Sequence, residues 1–393
     1  MLSQRRERRD RLTVLHLAQP VEGGVARVVT DLVGAQTQEG VRAVVACPEG
    51  GSLSRQAAAA GAEVERWAAA RELGPRVASE TRQALRLIRH VDPDVVHAHS
   101  AKAGLAARLA LRGRVPTVYQ PHAWSFEAVE GRTARLARAW ERRAARWTDR
   151  VLCVSEAERR TGEQAGVVAR WAVVHNGVPE AEPGGRAAAR ALLPQLSGVP
   201  ADAPLVVCVG RLCRQKGQRT LLSAWSRIAA AVPDAWLALV GDGPDRPALS
   251  ALSGHAPGRV LFAGASDEVN RWYAAADLVV LPSRWEGMAL TPLEAMACGR
   301  PVVVTDVGGA RESLPPQQHE TCLVPPGDPD ALAESVTHLL REPELREFMG
   351  EAARKHVRAD FDVRRSAAAV LSLYRELLDA PAQAPAGSER AAR

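Results

Sequence analysis

Aromatic side chains are scarce in this chain, at 4% of its 393 residues. The sequence shows no zinc-finger spacing and no aromatic motif of the kind that stacks on RNA bases, so we expect no nucleic-acid partner. The formal net charge is +6 and the pI is about 9.3. A basic protein of this kind favours acidic partners, which include nucleotides, phosphates and anionic membrane surfaces.

Paired cysteines and long apolar runs are also missing from the sequence. The six cysteines include no Cys-x-x-Cys pair, and Cys47, Cys153 and Cys208 lie in apolar runs. Free, buried thiols in a reducing cytoplasm are the simplest interpretation. The N-terminus lacks the apolar core of a signal peptide, and runs such as residues 278–282 are too short to span a bilayer. We therefore expect a cytoplasmic protein, whose membrane contact, if it has one, is peripheral and at the inner face.

What the sequence does contain is a regular alternation of short β-branched runs with Ala/Leu/Arg-rich helical stretches. The first run is Thr13–Ala18, and the pattern restarts at residues 205–210 after a segment rich in proline and glycine, residues 179–204. Strands separated by helices indicate parallel sheets with right-handed crossovers. The fold class is therefore predicted as α/β, with two doubly wound, Rossmann-like domains that face each other across a cleft.

The same pattern predicts the domain limits. Residues 1–11 form a basic, flexible N-terminus, residues 12–180 form the first domain and residues 181–358 form the second. A C-terminal helix follows at residues 359–379, and residues 380–393 are predicted as a disordered tail. In doubly wound sheets ligands bind at the carboxyl ends of the strands, so the loops after the strands are the places to look for a site.

The segment with the most potential for chemistry is residues 281–309. A predicted strand ends at residue 282, and a loop with Glu286 leads into a helix for which Thr291 is the expected N-cap and Pro292 the first residue. The free N–H groups and the dipole of such a helix attract phosphate. Glu286 and Glu294 are spaced so that one carboxylate can face a sugar and the other can accept from ribose hydroxyls. The alternatives are a capping box between Thr291 and Glu294 and a solvated loop charge at Glu286.

Two further segments suit a phosphate. Arg211 follows a predicted strand and Lys216 lies five residues later, a pair of cations that could neutralise a diphosphate leaving group. Gly23 and Gly24 follow the first strand, where glycine allows the backbone to approach a phosphate. Ordinary surface cations and an ordinary turn are the alternative interpretations.

Histidines offer a third set of candidates. His97 and His99 lie on one face of a predicted strand and could form a metal pair, but the sequence spaces no third ligand to join them. His122 follows another strand and is expected to point into the cleft; a satisfied core or capping histidine is the alternative.

The sequence also contains two Asp-x-Asp pairs, at residues 92–94 and 328–330, which could hold a divalent metal. The first precedes a strand, at the opposite edge of the sheet from the expected site. In the second, Asp328 is predicted as an N-cap followed by Pro329. We therefore predict no metal ligands and no required divalent metal.

Taken together, the segments resemble family 4 glycosyltransferases, the retaining enzymes of the GT-B fold that act in polysaccharide and lipid-linked glycan assembly. The resemblance runs in order from about residue 13 to residue 312. Its motifs are VEGGVARVV, DVVHAHSAKAG, VYQPHAWSF, VLCVSEAER, VVHNGV, VGRLCRQKG, LVGDGP, VLFAG and EGMALTPLEAMACGRPVV. The resemblance also implies that the C-terminal helix returns to the first domain.

The resemblance implies a role for each candidate residue. Glu286 and His122 would be the catalytic residues, with Gly287 beside the donor sugar. Glu294 would bind the ribose and Gly264 the base. The diphosphate would be held by Arg211, Lys216, Gly24 and the N–H groups of Met288, Ala289 and Leu290. Two positions depart from the family pattern, which usually has glycine at Ala123 and often phenylalanine at Met288.

The resemblance further implies the reaction. A sugar would move with retention of configuration from a nucleotide diphosphate sugar, with UDP favoured and GDP possible, to a glycan, lipid-linked or small-molecule acceptor of cell-envelope polysaccharide synthesis. The leaving phosphate would take the acceptor proton, no cofactor would be needed, and catalysis would come from positioning and electrostatic stabilisation. A non-catalytic scaffold, a nucleotide-sugar epimerase and a sugar phosphorylase on the same fold are the alternatives.

One predicted helix, within residues 132–150, carries a possible membrane-contact face. Arg135, Arg138, Arg142 and Arg146 follow helical spacing, beside an apolar stripe of Leu136, Trp140, Ala144 and Trp147. Cations next to tryptophan suit an anionic lipid surface. The alternative is a helix packed on the core with a solvated arginine face.

Overall fold

The computed structural model describes residues 11–70, 74–182, 184–254 and 259–379. The predicted disordered tail and, except for Arg11, the predicted basic N-terminus lie outside the described residues. Within the described ranges, no helix combines the length and the apolar character that crossing a bilayer requires.

The first half of the chain forms seven strands and six helices within the described residues. The strands are β1 (Thr13–Ala18), β2 (Arg42–Cys47), β3 (Glu63–Arg66), β4 (Val95–His99), β5 (Thr117–Gln120), β6 (Arg150–Cys153) and β7 (Trp171–Val173). The helices are α1 (Gly23–Gln38), α2 (Leu53–Ala59), α3 (Val77–Val91), α4 (Ser100–Leu111), α5 (Gly131–Ala144) and α6 (Glu156–Gln164). A 3-10 turn, Ala145–Trp147, follows α5.

The second half has the same alternation. Its strands are β8 (Leu205–Val209), β9 (Trp236–Val240), β10 (Arg259–Gly264), β11 (Leu278–Leu281), β12 (Val302–Thr305) and β13 (Leu323–Val324). Its helices are α7 (Arg186–Ala191), α8 (Gln218–Ala231), α9 (Arg246–Ser253), α10 (Val269–Ala275), α11 (Leu290–Ala297), α12 (Ala310–Ser313), α13 (His319–Cys322), α14 (Pro329–Arg341), α15 (Pro343–Asp360) and α16 (Val363–Asp379). Short 3-10 turns occur at Pro194–Leu196, Arg214–Lys216 and Pro316–Gln318.

Each half forms one parallel sheet. The first has the order β3-β2-β1-β4-β5-β6-β7 and the second β10-β9-β8-β11-β12-β13, and every strand pairing is parallel. The strand order reverses between β1 and β4 in one sheet and between β8 and β11 in the other. The predicted pair of doubly wound Rossmann-like domains is confirmed, and the two reversals mark where ligands bind in such folds.

The central strands form because their sequences are continuous apolar runs. In β8, the sequence LVVCV is buried at all five positions. Such runs suit a parallel sheet that helices cover on both faces. The second domain accordingly has one continuous core, in which Trp225, Trp272 and Leu293 are fully buried.

The C-terminal helix α16 packs on the first domain. Ala367, Val370 and Tyr374 of α16 share a buried cluster with Val14 of β1 and Leu32 of α1. This confirms the expectation that the last helix returns to the first domain.

The chain crosses between the domains twice, and the two crossings lie side by side. The Val178 N–H donates to the Phe361 carbonyl at 2.8 Å, and the Val363 N–H donates to the Val178 carbonyl at 3.2 Å. The break between α15 and α16 therefore lies at the connection between the domains.

Two strands were not predicted from the sequence. β3 has the sequence EVER, largely exposed at the edge of its sheet, so it lacks the apolar pattern that marks a buried strand. β13 has only two residues. Both owe their conformation to pairing with a neighbouring strand.

The two Asp-x-Asp segments have structural roles. Asp328 caps α14 by accepting from the N–H groups of Asp330 and Ala331 at 3.0 Å, as predicted. Asp94 Oδ2 accepts from the Thr13 N–H at 2.7 Å, and Asp92 ends α3 in a left-handed conformation.

Candidate active site

The strand reversal of the second domain brings two predicted segments together. Arg211 and Lys216 follow β8, and Glu286 follows the neighbouring strand β11. Lys216 Nζ donates to Glu286 Oε1 at 2.6 Å, and Ser283 Oγ donates to the same oxygen at 2.8 Å. Lys216 and Glu286 are 19% and 12% exposed, so solvent screens this pair less than it screens a surface pair.

Local backbone geometry positions Lys216. It ends the 3-10 turn Arg214–Lys216, and Gly217 then adopts a φ of 67°. A Cβ atom at Gly217 would overlap the Pro282 carbonyl at the end of β11, so only glycine lets the two strand ends approach this closely. Arg211 precedes this turn with an exposed side chain.

The helix after Glu286 begins earlier than predicted. α11 starts at Leu290 with Ala289 as its N-cap, and no described side chain caps it. Thr291 is therefore not the N-cap, because it lies within the first turn and its hydroxyl donates to the Val209 carbonyl at 3.4 Å. Pro292 is correspondingly the third helical residue rather than the first. The N–H groups of Ala289 and Leu290 lie at the helix start, where N–H groups have no acceptor within the helix and can bind an anion.

The capping-box alternative for Glu294 is wrong. Glu294 Oε2 accepts from the Tyr273 hydroxyl of α10 at 2.8 Å, not from a backbone N–H at the helix start. Burial raises the pKa of Glu294, and the Tyr273 hydrogen bond opposes that shift. The Glu294 carboxylate thus lies between α10, α11 and Lys216. The positive charge of Lys216 also lowers the pKa of Glu294.

The glycine pair of the first domain faces this helix start. A Cβ atom at Gly24 would lie 4.0 Å from Leu290 Cδ1, so the backbone of the first domain approaches α11 here. The alternative of an ordinary turn is wrong, because α1 already begins at Gly23, which has a φ of 78°. The pair forms the first turn of α1.

Contacts from the first domain hold the loop between Glu286 and α11. Ser155 Oγ donates to the Gly287 carbonyl at 3.0 Å, and Asn176 Nδ2 donates to the Met288 carbonyl at 2.8 Å. A Cβ atom at Gly287 would lie 2.9 Å from the Ala123 nitrogen, a distance that requires neighbouring atoms to shift. Gly287 therefore lets this loop lie directly against the segment that follows His122.

His122 lies in that segment, after β5. Its backbone and that of Ala123 have φ angles of 57° and 94°, which side-chain-bearing residues rarely adopt. Its Nε2 lies 3.1 Å from His99 Nδ1. Burial lowers the pKa of His122 to about 3, so its ring is neutral at physiological pH.

Sequence reasoning missed two carboxylates beside His122. Glu158 of α6 accepts from the N–H groups of Ala123 at 2.5 Å and Val154 at 2.8 Å. Glu127 accepts from the Trp124 N–H at 2.9 Å. Burial raises the pKa of each carboxyl to about 7. The negative charge of Glu286 also raises the pKa of Glu127. Glu158 lies within the VLCVSEAER motif, but the sequence assigned it no role, and only the fold brings the two carboxylates beside His122.

The remaining predicted position is at the far side of the second sheet. Gly264 ends β10 with a φ of 78°, and its carbonyl accepts from the Gly241 N–H at 2.7 Å. This contact fixes the backbone at Gly264. The role of Gly264 in binding the base stays a prediction.

The two strand histidines do have a third neighbour, contrary to the sequence-based expectation. His16 of β1 pairs in register with His97 of β4, and ring nitrogens of His16, His97 and His99 lie within 4.8 Å of one another. His16 is 81 positions before His97, so only the strand order reveals it.

Comparison with known proteins gives the family. Residues 22–182 match the model for Glycosyltransferase Family 4, and residues 203–342 match the model for Glycosyl transferases group 1. The alpha-D-kanosaminyltransferase of Streptomyces kanamyceticus is 31% identical over 303 residues, which cover 72% of this chain and 77% of that relative. The chain belongs to glycosyltransferase family 4.

Other relatives in the family vary in coverage. The putative teichuronic acid biosynthesis glycosyltransferase TuaC of Bacillus subtilis is 30% identical, covering 73% of this chain and 71% of the relative. A GDP-mannose-dependent monoacylated alpha-(1-6)-phosphatidylinositol monomannoside mannosyltransferase of Corynebacterium glutamicum is 38% identical over 169 residues, which span 40% of this chain and 43% of that relative.

Solved structures show the same architecture. Sucrose-phosphate synthase from Thermosynechococcus elongatus superposes with a TM-score of 0.80 at 24% identity, over 94% of this chain and 100% of that chain. HepE from Anabaena, solved in complex with UDP-glucose, superposes with a TM-score of 0.74 at 25% identity, over 92% of this chain and 100% of that chain. The family 4 chain therefore has the two-domain GT-B fold.

Proposed function

We propose that this family member transfers a sugar, with retention of configuration, from a nucleotide diphosphate sugar to a glycan, lipid-linked or small-molecule acceptor in cell-envelope glycan synthesis. The observation that carries the proposal is the meeting of Lys216 and Glu286 at the strand reversal, between the start of α11 and the first domain. A cation suits the diphosphate and a carboxylate suits sugar hydroxyls.

The geometry suggests how each group would act. Lys216 and Arg211 would neutralise the charge that develops on the leaving diphosphate, together with the N–H groups at 288–290 and the backbone at Gly24. Released from Lys216, the Glu286 carboxylate would accept from donor-sugar hydroxyls. Glu294 would do the same for the ribose, and the loop at Gly264 would contact the base.

The neutral His122 ring would face the transferring sugar from the first domain. Because the site supplies charge neutralisation and positioning, the reaction needs no protein nucleophile, and the leaving phosphate would accept the proton of the acceptor hydroxyl. No cofactor and no divalent metal are proposed for this step.

The proposed donor is a UDP-sugar, with a GDP-sugar as the second candidate. The Anabaena HepE structure holds UDP-glucose, which supports UDP, whereas the Corynebacterium glutamicum relative is named for GDP-mannose, which supports GDP. Thermal unfolding with UDP, GDP, ADP and dTDP, each with and without EDTA, tests the site. A nucleotide at 100 times its Kd adds about 2.7 kcal/mol, enough to raise the Tm by several degrees.

We expect one base to raise the Tm, and EDTA to leave that rise unchanged. A rise that EDTA removes would contradict the metal-independent site. A Tm that no nucleotide changes would contradict the nucleotide site itself and favour a scaffold.

Transfer itself is tested with Glu286→Gln. We expect a loss of about 100-fold or more in kcat with the nucleotide-dependent Tm shift retained, because the carboxylate acts on the sugar rather than on the base. Glu344→Gln, on the exposed surface of α15, is the matched control. Unchanged turnover in Glu286→Gln would rule out its role, and NMR of the product linkage would show whether the donor configuration is retained.

We also propose a peripheral contact between an anionic membrane surface and α5 together with the 3-10 turn that follows it. Arg135, Arg138 and Arg146 are exposed, and Leu136 is 70% exposed. The Trp147 ring has the Arg143 and Arg146 guanidinium groups 5.9 Å from its centroid. Co-sedimentation with anionic vesicles tests this contact.

A further inference from the structure

A fully buried layer of polar side chains lies between the first sheet and the helices α1 and α16. It contains His16, His97 and His99, each 0% exposed, with Gln36 from α1 and Tyr374 from α16. Buried polar groups are costly unless they are hydrogen-bonded, so this layer requires a defined pattern of donors and acceptors.

Three of its members form an unbroken chain that ends at His122. Gln36 Oε1 lies 2.8 Å from His16 Nε2, and His16 Nδ1 lies 3.0 Å from His99 Nε2. His99 Nδ1 lies 3.1 Å from His122 Nε2. The chain thus runs from the helix α1, across β1 and β4, to the loop beside Glu286.

The three histidines of this hydrogen-bond chain are neutral. Burial lowers the pKa of His16 to about 4 and that of His122 to about 3, and it holds the pKa of His99 well below its usual range. A neutral imidazole has one donor and one acceptor nitrogen. The proton position on one ring therefore determines the proton position on the next.

The amide oxygen of Gln36 sets the direction in which every hydrogen bond of this chain is donated. Since Gln36 Oε1 can only accept, His16 carries its proton on Nε2 and accepts at Nδ1. His99 must then donate from Nε2 and accept at Nδ1, and His122 must donate from Nε2. The Nδ1 atom of His122 is left without a proton.

The neighbouring histidine belongs to the same layer but does not set this direction. The Tyr374 hydroxyl lies 2.6 Å from His97 Nδ1. Among the described residues, His97 Nε2 and Gln36 Nε2 have no hydrogen-bond partner.

We propose that Gln36, His16 and His99 are positioning residues that fix His122 in the Nε2–H tautomer, so that its Nδ1 accepts a hydrogen bond from a sugar hydroxyl in the cleft. The tautomer depends only on the hydrogen-bond chain, whereas its effect on transfer rests on the proposed function. A metal ion held by His16, His97 and His99 is less favoured, because both ring nitrogens of His16 and of His99 already have hydrogen-bond partners.

The tautomer is measured by two-bond ¹H–¹⁵N correlation spectra of the ¹⁵N-histidine-labelled, full-length protein. His122→Asn assigns the His122 signals. We expect them to show a protonated Nε2 and an unprotonated Nδ1. Gln36→Met removes the acceptor that sets the direction while keeping the side chain's size, so we expect His122 to become a mixture of tautomers. Gln56→Met, on α2, is the matched control and should leave the spectrum of His122 unchanged.

Turnover measurements test whether the His122 tautomer matters for sugar transfer. A single hydrogen bond is worth about 0.5–1.5 kcal/mol, so Gln36→Met should lower kcat roughly three- to tenfold while the Tm shift with nucleotide persists. If Gln36→Met fails to fold, His99→Asn breaks the chain one step from His122 and should give the same mixture.

Three outcomes would overturn the proposal. The first is a proton on Nδ1 of His122 in the parent protein, and the second is an unchanged His122 tautomer in the folded variants. The third is an equimolar bound metal ion whose removal by EDTA changes the histidine signals. Loss of nucleotide binding in the parent protein would instead contradict the proposed function and leave the tautomer assignment standing.

Discussion

His122 and Ala123 share an unusual backbone conformation, with positive φ at both residues. The cause lies in the hydrogen bonds around them. The Ala123 N–H is held by the buried Glu158 carboxylate, and the Trp124 indole donates to the Glu158 carbonyl at 2.8 Å. Hydrogen bonds from α6 therefore hold this turn, and the positive φ angles of its two residues cost backbone strain.

The strain at Ala123 leads to a prediction. Glycine has no Cβ and adopts positive φ readily, whereas a residue held in a sparsely populated region costs of order 1–3 kcal/mol. Since glycine also gives the unfolded chain more freedom, worth about 0.4–1 kcal/mol, Ala123→Gly should raise the free energy of unfolding by about 1 kcal/mol in urea titration.

Ala139→Gly is the control for this substitution. Ala139 is an exposed residue within α5, where glycine costs about 1 kcal/mol. If the two variants are destabilised alike, the backbone at Ala123 is not strained.

At the scale of elements, the burial of residues along α5 and the turn after it differs from the apolar stripe that the sequence predicted. Ala144 is fully buried and Trp140 and Trp147 are half-buried, but Leu136 is exposed. The buried residues of α5 are Ala134, Glu141 and Ala144, and Glu141 pairs with the buried Arg108 at 2.7 Å.

The arginines of the face beside this stripe are exposed, as both interpretations of the sequence allowed. Arg142 nevertheless donates to the Ala165 carbonyl at 2.5 Å, and the Arg138 guanidinium lies 5.5 Å from the centroid of the Phe126 ring.

The arginine face is tested by a triple substitution. Each arginine near an anionic membrane is worth about 1 kcal/mol, so Arg135→Gln, Arg138→Gln and Arg146→Gln together should weaken binding to anionic vesicles by roughly 100-fold at low salt. Co-sedimentation with vesicles of anionic and neutral lipid measures the effect.

The control removes the same charge from another helix of the same domain. Arg82, Arg86 and Arg89 of α3 are also exposed, and their replacement by glutamine should leave vesicle binding nearly unchanged. Equal losses in both triple variants would show that net charge, rather than the α5 face, decides the binding. A parent protein that ignores anionic vesicles would refute the contact.

At the scale of the whole molecule, direct hydrogen bonds join the two domains at the cleft. Glu312 of α12 accepts from the N–H groups of Glu156 and Ala157 at the start of α6, at 2.8 Å each, and contacts His175 Nε2 at 2.9 Å. Burial alone would raise the pKa of Glu312, but the His175 hydrogen bond and the two backbone N–H groups hold it below its usual range. The ionised carboxylate therefore stabilises the contact between the two domains seen in this structure.

Removing this contact should open the cleft. Glu312→Ala leaves the start of α6 without its acceptor, and we expect a larger radius of gyration in small-angle scattering without nucleotide. Since charged hydrogen bonds are worth about 1.5–3 kcal/mol, the donor KM should rise about tenfold or more as the closed population falls.

Glu334→Ala, on the exposed face of α14, is the control and should change neither quantity. A scattering curve of Glu312→Ala that matches the parent protein would contradict a role for this contact in closure.

The sequence alone determined the two parallel sheets and the membership of family 4. Both follow from local pattern, because apolar runs such as β8 and the motif around Glu286 are contiguous in the chain. The return of the final helix was expected only through the family resemblance, and its packing against β1 and α1 confirms it. The missed strands β3 and β13 mark the limit of that pattern, since pairing rather than composition makes them strands.

Only the tertiary structure decided which side chains meet. Lys216 and Glu286 are 70 positions apart, and His16 and His99 are 83 apart. The strand orders β8-β11 and β1-β4 bring them within hydrogen-bonding distance. Glu158 and Glu312 likewise come together with partners distant in the chain, although the sequence assigned neither of them a role. The physical reason is that hydrogen bonds depend on distance and direction in space, which crossovers between strands set and which local sequence does not encode.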